Sequence, residues 1–199
     1  MAVFHLSMKT VSRGQGRSAT AAAAYRAGEA IRDERQGLVF DYTRKQRVRH
    51  AVTIVPDHAL PWMRDRKSLW NAAETAEKRR DAITARELEI ALPRELDESD
   101  QTALVRAFVD EQLTSRGLVA DVAIHDTTAE DGREQPHAHV LVTDRTVDPN
   151  QPTGFAAKKN RDFSRRDGIE ALRRSWEQHA NHALQAAGRD DRIDRRSLD

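Results

Sequence analysis

The 199-residue chain carries 33 Lys/Arg against 32 Asp/Glu, is 38% hydrophobic and has no cysteine, which suits one globular domain with a modest core. No segment approaches the roughly 18 consecutive apolar residues of a membrane span, and without thiols a disulfide scaffold or thiolate zinc site is excluded. The charge is unevenly placed: residues 1–50 hold 10 Lys/Arg against 4 Asp/Glu, residues 51–150 hold 12 against 20, and residues 151–199 hold 11 against 8. Basic ends around an acidic middle suit a polyanion gripped by the flanks and a metal held at the centre; solvated helix faces would give the same pattern.

In chain order, residues 3–9 alternate apolar and polar side chains and read as a strand. Residues 12–16 are loop, and Ser18 is placed to cap a helix running through the alanines to about residue 33. Residues 37–42 and 49–55 read as extended, joined by a turn rich in Arg44, Lys45, Arg47 and Arg49. A helix is expected over 62–81, with Trp62, Leu69, Trp70 and Ala73 along one side. Residues 84–92 form a strand stopped by Pro93, and a helix over 99–115 ends at Gly117. Strands over 118–125 and 137–143 flank a polar connection at 126–135. After a loop at 149–154 and a basic stretch at 158–166, a last helix spans 167–187. Strands interleaved with helices predict an α+β, two-layer domain, with helices covering one face of a mostly antiparallel sheet.

The segment Pro136-His137-Ala138-His139-Val140-Leu141-Val142 is the most informative. Side chains alternate along a strand, so His137 and His139 share a face while Ala138, Val140 and Val142 point into the core. Two imidazoles on one strand face, with Cα atoms about 7 Å apart, can converge on one metal ion. If the flanking strands pair as a hairpin, His125 arrives opposite His137 as a third ligand. Three imidazoles leave coordination positions open, as a catalytic site requires, but they suit several metals. A wet strand face with two histidines is the plain alternative.

Glu87 and Glu89 also share one strand face, opposite Leu88, Ile90 and Leu92. On a strand beside the histidines, one carboxylate could orient an imidazole or act as a base. The chain has two tyrosines, Tyr25 and Tyr42. Tyr25 lies at the edge of its helix, beside Ala21, Ala22 and Gly28, small residues that let a backbone approach. Tyr42, beside the basic turn, suits packing or base stacking. Both tyrosines could equally be partly buried packing residues.

Beyond these residues the chain resembles the MobA/MobL (MobQ-type) relaxases, with similarity to the nickase domains of TraA-type conjugation proteins. The matching stretches are 4–9, 16–28 (Gly16-Arg17-Ser18 through Tyr25-Arg26-Ala27-Gly28), 41–45, Leu69-Trp70-Asn71 with Ala76-Glu77-Lys78, 85–93, 122–125, 136–143 and 193–198, nearly the whole chain. Arg195 departs from the pattern, which has histidine there. The resemblance implies a HUH-type endonuclease, with Tyr25 as nucleophile, His125, His137 and His139 as metal triad, and Glu87 or Glu89 as active-site carboxylate. It implies a divalent metal, Mg or Mn in the first place, with Zn, Ni or Co also able to occupy the site. The implied reaction nicks the plasmid origin of transfer, leaving a 5′-phosphotyrosyl adduct and a free 3′-hydroxyl. The partners implied are single-stranded or hairpin-borne origin DNA, accessory proteins of conjugation and a coupling protein. Candidate DNA contacts are Arg13, Arg17, Arg44, Lys45, Arg47, Arg49, Lys158 and Lys159.

Residues 1–199 are expected to form one nickase domain, either whole in itself or the N-terminal part of a longer chain. The first ten residues lack a charged segment followed by an apolar run, so a secretory signal is not expected and a cytoplasmic location is. Three rival readings remain open. A rolling-circle replication initiator would share the chemistry, a histidine-ligated hydrolase would not need Tyr25, and a non-catalytic accessory protein would bind the origin without a covalent adduct.

Overall fold

The computed structural model describes residues 3–128 and 132–196. In chain order its elements are β1 (Leu6–Ser12), α1 (Ala19–Ala27), β2 (Ala30–Asp33), β3 (Leu38–Asp41), β4 (Val48–Ile54), α2 (Arg66–Thr75), β5 (Ile83–Ala91), α3 (Glu98–Gln112), β6 (Ala120–Thr128), β7 (Glu134–Thr143) and α4 (Arg166–Ala186). Five strands make one antiparallel sheet in the order β1-β5-β7-β6-β4, while β2 and β3 form a separate ribbon. The α+β class and the antiparallel sheet agree with the sequence expectation.

Strand alternation sends one set of side chains to each face of the sheet. Leu88, Ile90, Ala138, Val140, Val122 and Ile124 pack beneath Phe108 of α3 and Trp176 of α4 in one buried cluster. On the opposite face, Val11, Ala85, Val119 and Leu141 pack with Ala23 and Ala24 of α1 and Leu69 and Trp70 of α2. Helices therefore cover both faces of the sheet rather than one. Trp70 is also pinned by its indole N–H, which donates to the buried Asp121 carboxylate at 2.9 Å, where Arg66 adds a charged partner at 2.8 Å.

Two helices are shorter than the sequence pattern suggests. Ser18 does cap α1, its hydroxyl accepting the Ala21 N–H at 3.1 Å. The helix stops at Ala27 rather than near residue 33, because Gly28 takes a left-handed φ of 67° and returns its N–H to Ala24. A side chain there would be strained. The chain then turns into β2, where Ile31 is buried as a strand residue. The helix expected over 62–81 is split. A short 3-10 turn (Pro61–Arg64) ends at Asp65, whose extended backbone and carboxylate cap α2 at Ser68 N–H. Beyond Thr75 the sequence turns to Glu77-Lys78-Arg79-Arg80-Asp81, which offers no apolar stripe to continue the helix.

The first strand is displaced, running Leu6–Ser12 rather than over 3–9; the other elements lie close to expectation, with β6 and β7 extending the hairpin further into the 126–135 connection. Residues 129–131 of that connection lie outside the described residues, as do Ser197 and Leu198 of the C-terminal motif. Arg195 rests on α4, its backbone N–H donating to Glu177 at 2.9 Å. Among the described residues no helix is long and apolar enough to cross a membrane.

Candidate active site

The site grows from the middle of the sheet. Pairing of β6 with β7 sets His125 directly across from His137, and His139 follows two residues along on the same face. The three rings lie 4.9 to 5.5 Å apart between centroids, and a nitrogen from each can be chosen so that all fall within 4.8 Å of one another. His125 and His139 are buried and His137 is half-buried. Burial pushes the His125 imidazole down to about 4; the Arg26 carbonyl pulls the other way, and the charges of Lys45 and the two other histidines add to the depression. Burial depresses His137 too. Both are thus held neutral, the form that ligates metal.

The outer nitrogens are fixed. His139 donates through Nδ1–H to Glu87 Oε1 at 3.0 Å, and His137 Nδ1 faces the Gln135 carbonyl at 3.3 Å. These contacts engage Nδ1 of both rings, as second-layer partners of metal-binding imidazoles do. His125 instead turns Nε2 to the Arg26 carbonyl, 2.6 Å away, at the last turn of α1. Three imidazoles with converging nitrogens, two of them anchored behind, fit a divalent cation with open coordination positions.

The structure separates the two glutamates. Glu87 is buried, and besides His139 it pairs with the Arg26 guanidinium at 2.5 Å. Burial alone would raise its carboxyl, but hydrogen bonds from His139 and Arg26 and their charges bring it down to about 2. Glu89 sits opposite His139 in the strand register, yet its carboxylate is half-exposed and faces Lys9 at 3.4 Å. Arg26 was not singled out from the sequence. Its adjacency to Tyr25 is visible there, but its reach to Glu87 depends on how α1 lies on the sheet.

Tyr25 is 44% exposed, an unusual degree for a large aromatic residue. It lines a cleft of about 430 Å³ with Ala21, Ala22, Arg17, Arg26 and Glu87. Its ring meets Tyr42 edge-on, with centroids 5.1 Å apart and planes at 86°. The Lys45 ammonium sits over the Tyr25 ring, 3.7 Å from its centroid, and donates to the Tyr25 carbonyl at 2.8 Å. Burial and the Arg26 charge lower that ammonium to about 8, with Glu87 opposing. Tyr42 follows β3 and is half-buried, so it packs against Tyr25 rather than lying within a strand.

The basic residues divide into two groups. Arg17, Arg44, Arg47 and Lys158 are exposed. Arg13, Arg49 and Lys159 are instead engaged with partners inside the protein. Arg13 binds Glu74 at 2.8 Å and three backbone carbonyls. Arg49 lies at a register shift in β4 and reaches Asp126 at 3.0 Å and Gln101 of α3 at 2.6 Å. Lys159 bridges Asp144 at 2.9 Å and Glu77 at 3.3 Å. Buried carboxylates take up Arg13 and Lys159, and Asp126 with Gln101 takes up Arg49, which charge runs in a sequence do not show.

A family model described as the MobA/MobL family matches residues 17–199. The chain is 40% identical to the mobilization protein MobL of Acidithiobacillus ferridurans, over 99% of this chain and 58% of that protein. It is 35% identical to the conjugal transfer protein TraA of Agrobacterium fabrum, over 100% of this chain and 20% of that protein. It thus spans little more than half of one of these relatives and a fifth of the other. A solved structure from work on vancomycin resistance transfer in Staphylococcus aureus matches with a TM-score of 0.89 at 31% identity, covering 99% of this chain and 100% of that one. The conjugative relaxase TrwC, solved in complex with oriT DNA in a metal-bound form, shares the fold with a TM-score of 0.56 at 12% identity, over 92% of this chain and 71% of that one.

Proposed function

The chain belongs to the MobA/MobL family, and on that premise we propose that it is the strand-nicking relaxase unit of a DNA-mobilisation protein. The observation that carries this reading is the last turn of α1. It presents Tyr25 to solvent, while the next residue, Arg26, touches His125 through its carbonyl and Glu87 through its guanidinium. An exposed hydroxyl nucleophile is thereby tied to a histidine triad through one residue.

In the proposed reaction the Tyr25 phenolic oxygen attacks a backbone phosphorus of the DNA. The new P–O bond to Tyr25 forms as the P–O3′ bond breaks. O3′ takes up a proton from water as it leaves, so the strand is left with a 5′-phosphotyrosyl linkage and a 3′-hydroxyl, and one diester has replaced another. The step is close to isoenergetic, so the same site can rejoin ends. Glu87, held near 2 by its partners, is a weak base, so its part is to orient His139 and Arg26 while the phenolic proton leaves to water. His125, His137 and His139 would hold a divalent metal ion, which when bound supplies Lewis-acid polarisation of the non-bridging phosphate oxygens. Arg17, lining the cleft with Tyr25, is placed to meet the phosphate backbone.

The substrate is single-stranded or hairpin-borne origin-of-transfer DNA, because a helix-borne tyrosine in an open cleft needs an accessible strand. TrwC was solved on oriT DNA, and also on a 27-mer comprising the recognition hairpin and the cleavage site, which supports the same choice here. The test is incubation with a labelled single-stranded origin oligonucleotide and Mg²⁺ or Mn²⁺, followed by a denaturing gel. A covalent adduct that maps to the peptide containing Tyr25 is expected. Binding without any adduct would favour an accessory DNA-binding role instead.

A further inference from the structure

We infer that Lys45 is a positioning residue for Tyr25, holding the nucleophile's ring and its helix end in place, rather than a contact to the DNA backbone. The inference rests on the nickase reading for its consequence but on geometry for its substance. Two contacts join one side chain to Tyr25. The ammonium lies over the face of the Tyr25 ring at 3.7 Å from the centroid, well inside the range of a cation–π contact. The same nitrogen donates to the Tyr25 carbonyl at 2.8 Å. That carbonyl belongs to the last turn of α1, where backbone acceptors lack helical partners and a cation is favoured.

The lysine is delivered by a fixed turn. Asp41 accepts from the Thr43 N–H at 2.9 Å and hydroxyl at 2.7 Å, and Lys45 N–H closes back on Tyr42 O at 2.9 Å. Tyr42, on the same turn, supplies the edge-on contact to the Tyr25 ring. The turn therefore brings two groups to one ring, an aromatic edge and a charge on its face. With one of its three N–H donors on the Tyr25 carbonyl and its charge over the Tyr25 ring, the ammonium is directed at Tyr25 rather than outward to a phosphate. As the phenolic oxygen loses its proton, the ring gains negative charge, and a cation on its face is then bound more strongly than in the resting state.

The test uses the fact that the chain has two tyrosines. In a Tyr42→Phe background, 3-fluorotyrosine labels Tyr25 alone, and its ¹⁹F resonance reports the ring's surroundings without any reaction. Lys45→Met, which keeps the stem and removes the charge, is expected to move and narrow that resonance, and Lys45→Arg to leave it near its original place. In the otherwise unaltered chain, Lys45→Met should slow adduct formation at saturating oligonucleotide and Mn²⁺ by about tenfold. The half-saturating concentration should change by less than about threefold, and Lys45→Arg should recover most of the rate. Lys45→Gln, with an unchanged far-UV spectrum, serves if the Met variant does not fold. Weakened binding with an unchanged rate at saturation would overturn the inference in favour of a phosphate contact, as would a ¹⁹F resonance indifferent to the substitution. If the unaltered protein forms no adduct at all, the nickase reading falls, and the resonance alone decides whether Lys45 holds Tyr25.

Discussion

His139 Nδ1–H and the Glu87 carboxylate meet at 3.0 Å, linking the centre of β7 to the neighbouring strand β5. Glu89, directly across from His139 in register, makes its contact with Lys9 instead. Outer partners of metal-binding imidazoles commonly carry about 10- to 100-fold of metal affinity. Glu87→Gln is therefore expected to weaken Mn²⁺ binding by at least about tenfold in calorimetry. Glu89→Gln should change it by less than about threefold, its carboxylate being half-exposed and screened. The reverse ranking would assign the orienting role to Glu89.

DNA binding should outlast the metal. The exposed cations Arg17, Arg44, Arg47 and Lys158 lie apart from the three histidines in sequence. With a chelator, affinity for the origin oligonucleotide should persist and fall steeply with salt, as counterion release requires. Cleavage should be lost. His137→Ala and His139→Ala should reproduce the chelator result, and cleavage by thoroughly metal-free protein would exclude metal assistance.

The two tyrosines give a clean division of labour. Phe keeps the ring and its edge-on packing and removes the hydroxyl. Tyr25→Phe should bind DNA within about twofold of the unaltered protein, since the ring and its cation contact remain, and form no adduct. Tyr42→Phe should retain most adduct formation, because its ring edge is what Tyr25 meets. An adduct that disappears in Tyr42→Phe and survives in Tyr25→Phe would exchange the roles.

Acid should loosen the metal-free protein in two stages. An unfolded histidine titrates near 6.5, whereas burial holds His125 down to about 4. Between those values the unfolded chain carries a proton that the folded one does not, so stability falls as pH drops through that window. His137, shifted the same way, adds to the loss. On the order of 2–3 kcal/mol should be lost from His125 alone by pH 4, visible as a falling Tm. Glu87 acts later, its contribution fading from about 4.5 toward 2. His125→Asn should flatten the upper stage and leave the lower one, and an unchanged slope between pH 6.5 and 4 would show that His125 is not the group responsible.

Gly28 closes α1 at a φ of 67°, and a Cβ there would lie 3.3 Å from Val48 Cγ2 and 3.8 Å from Lys45 Cβ. Gly28→Ala is expected to cost about 1–2 kcal/mol in denaturant unfolding. It should also slow adduct formation, since the displaced neighbours carry the turn that meets Tyr25. Gly37→Ala has a similar φ but nothing within 4 Å, so it isolates the backbone strain alone.

The sequence carries the periodic parts of this architecture well. The alternation in residues 137–143, the Ser18 cap and the Gly117 stop correspond to β7, the start of α1 and the end of the turn after α3. The hairpin that sets His125 opposite His137 follows from the same alternation. The end of α1 was hidden because alanines continue a helical pattern that one left-handed glycine breaks. The split of the charges was hidden for another reason. Whether Arg13 meets DNA or Glu74, and which glutamate meets His139, depends on which strands become neighbours, and neither local composition nor spacing specifies that.

In the order β1-β5-β7-β6-β4, the last strand of the chain to be made lies in the middle. Until β7 inserts, β1 can pair with β5 and β4 with β6, but the two ribbons have no shared neighbour. His125 then stands on one ribbon and Glu87 on the other, while His137 and His139 have yet to arrive. A ribosome therefore releases the tyrosine-bearing helix more than a hundred residues before the chain can assemble its histidine cluster. A half-translated copy would carry Tyr25 without His137 and His139. Under the proposed reaction, the topology makes the capacity to cut coincide with closure of the sheet.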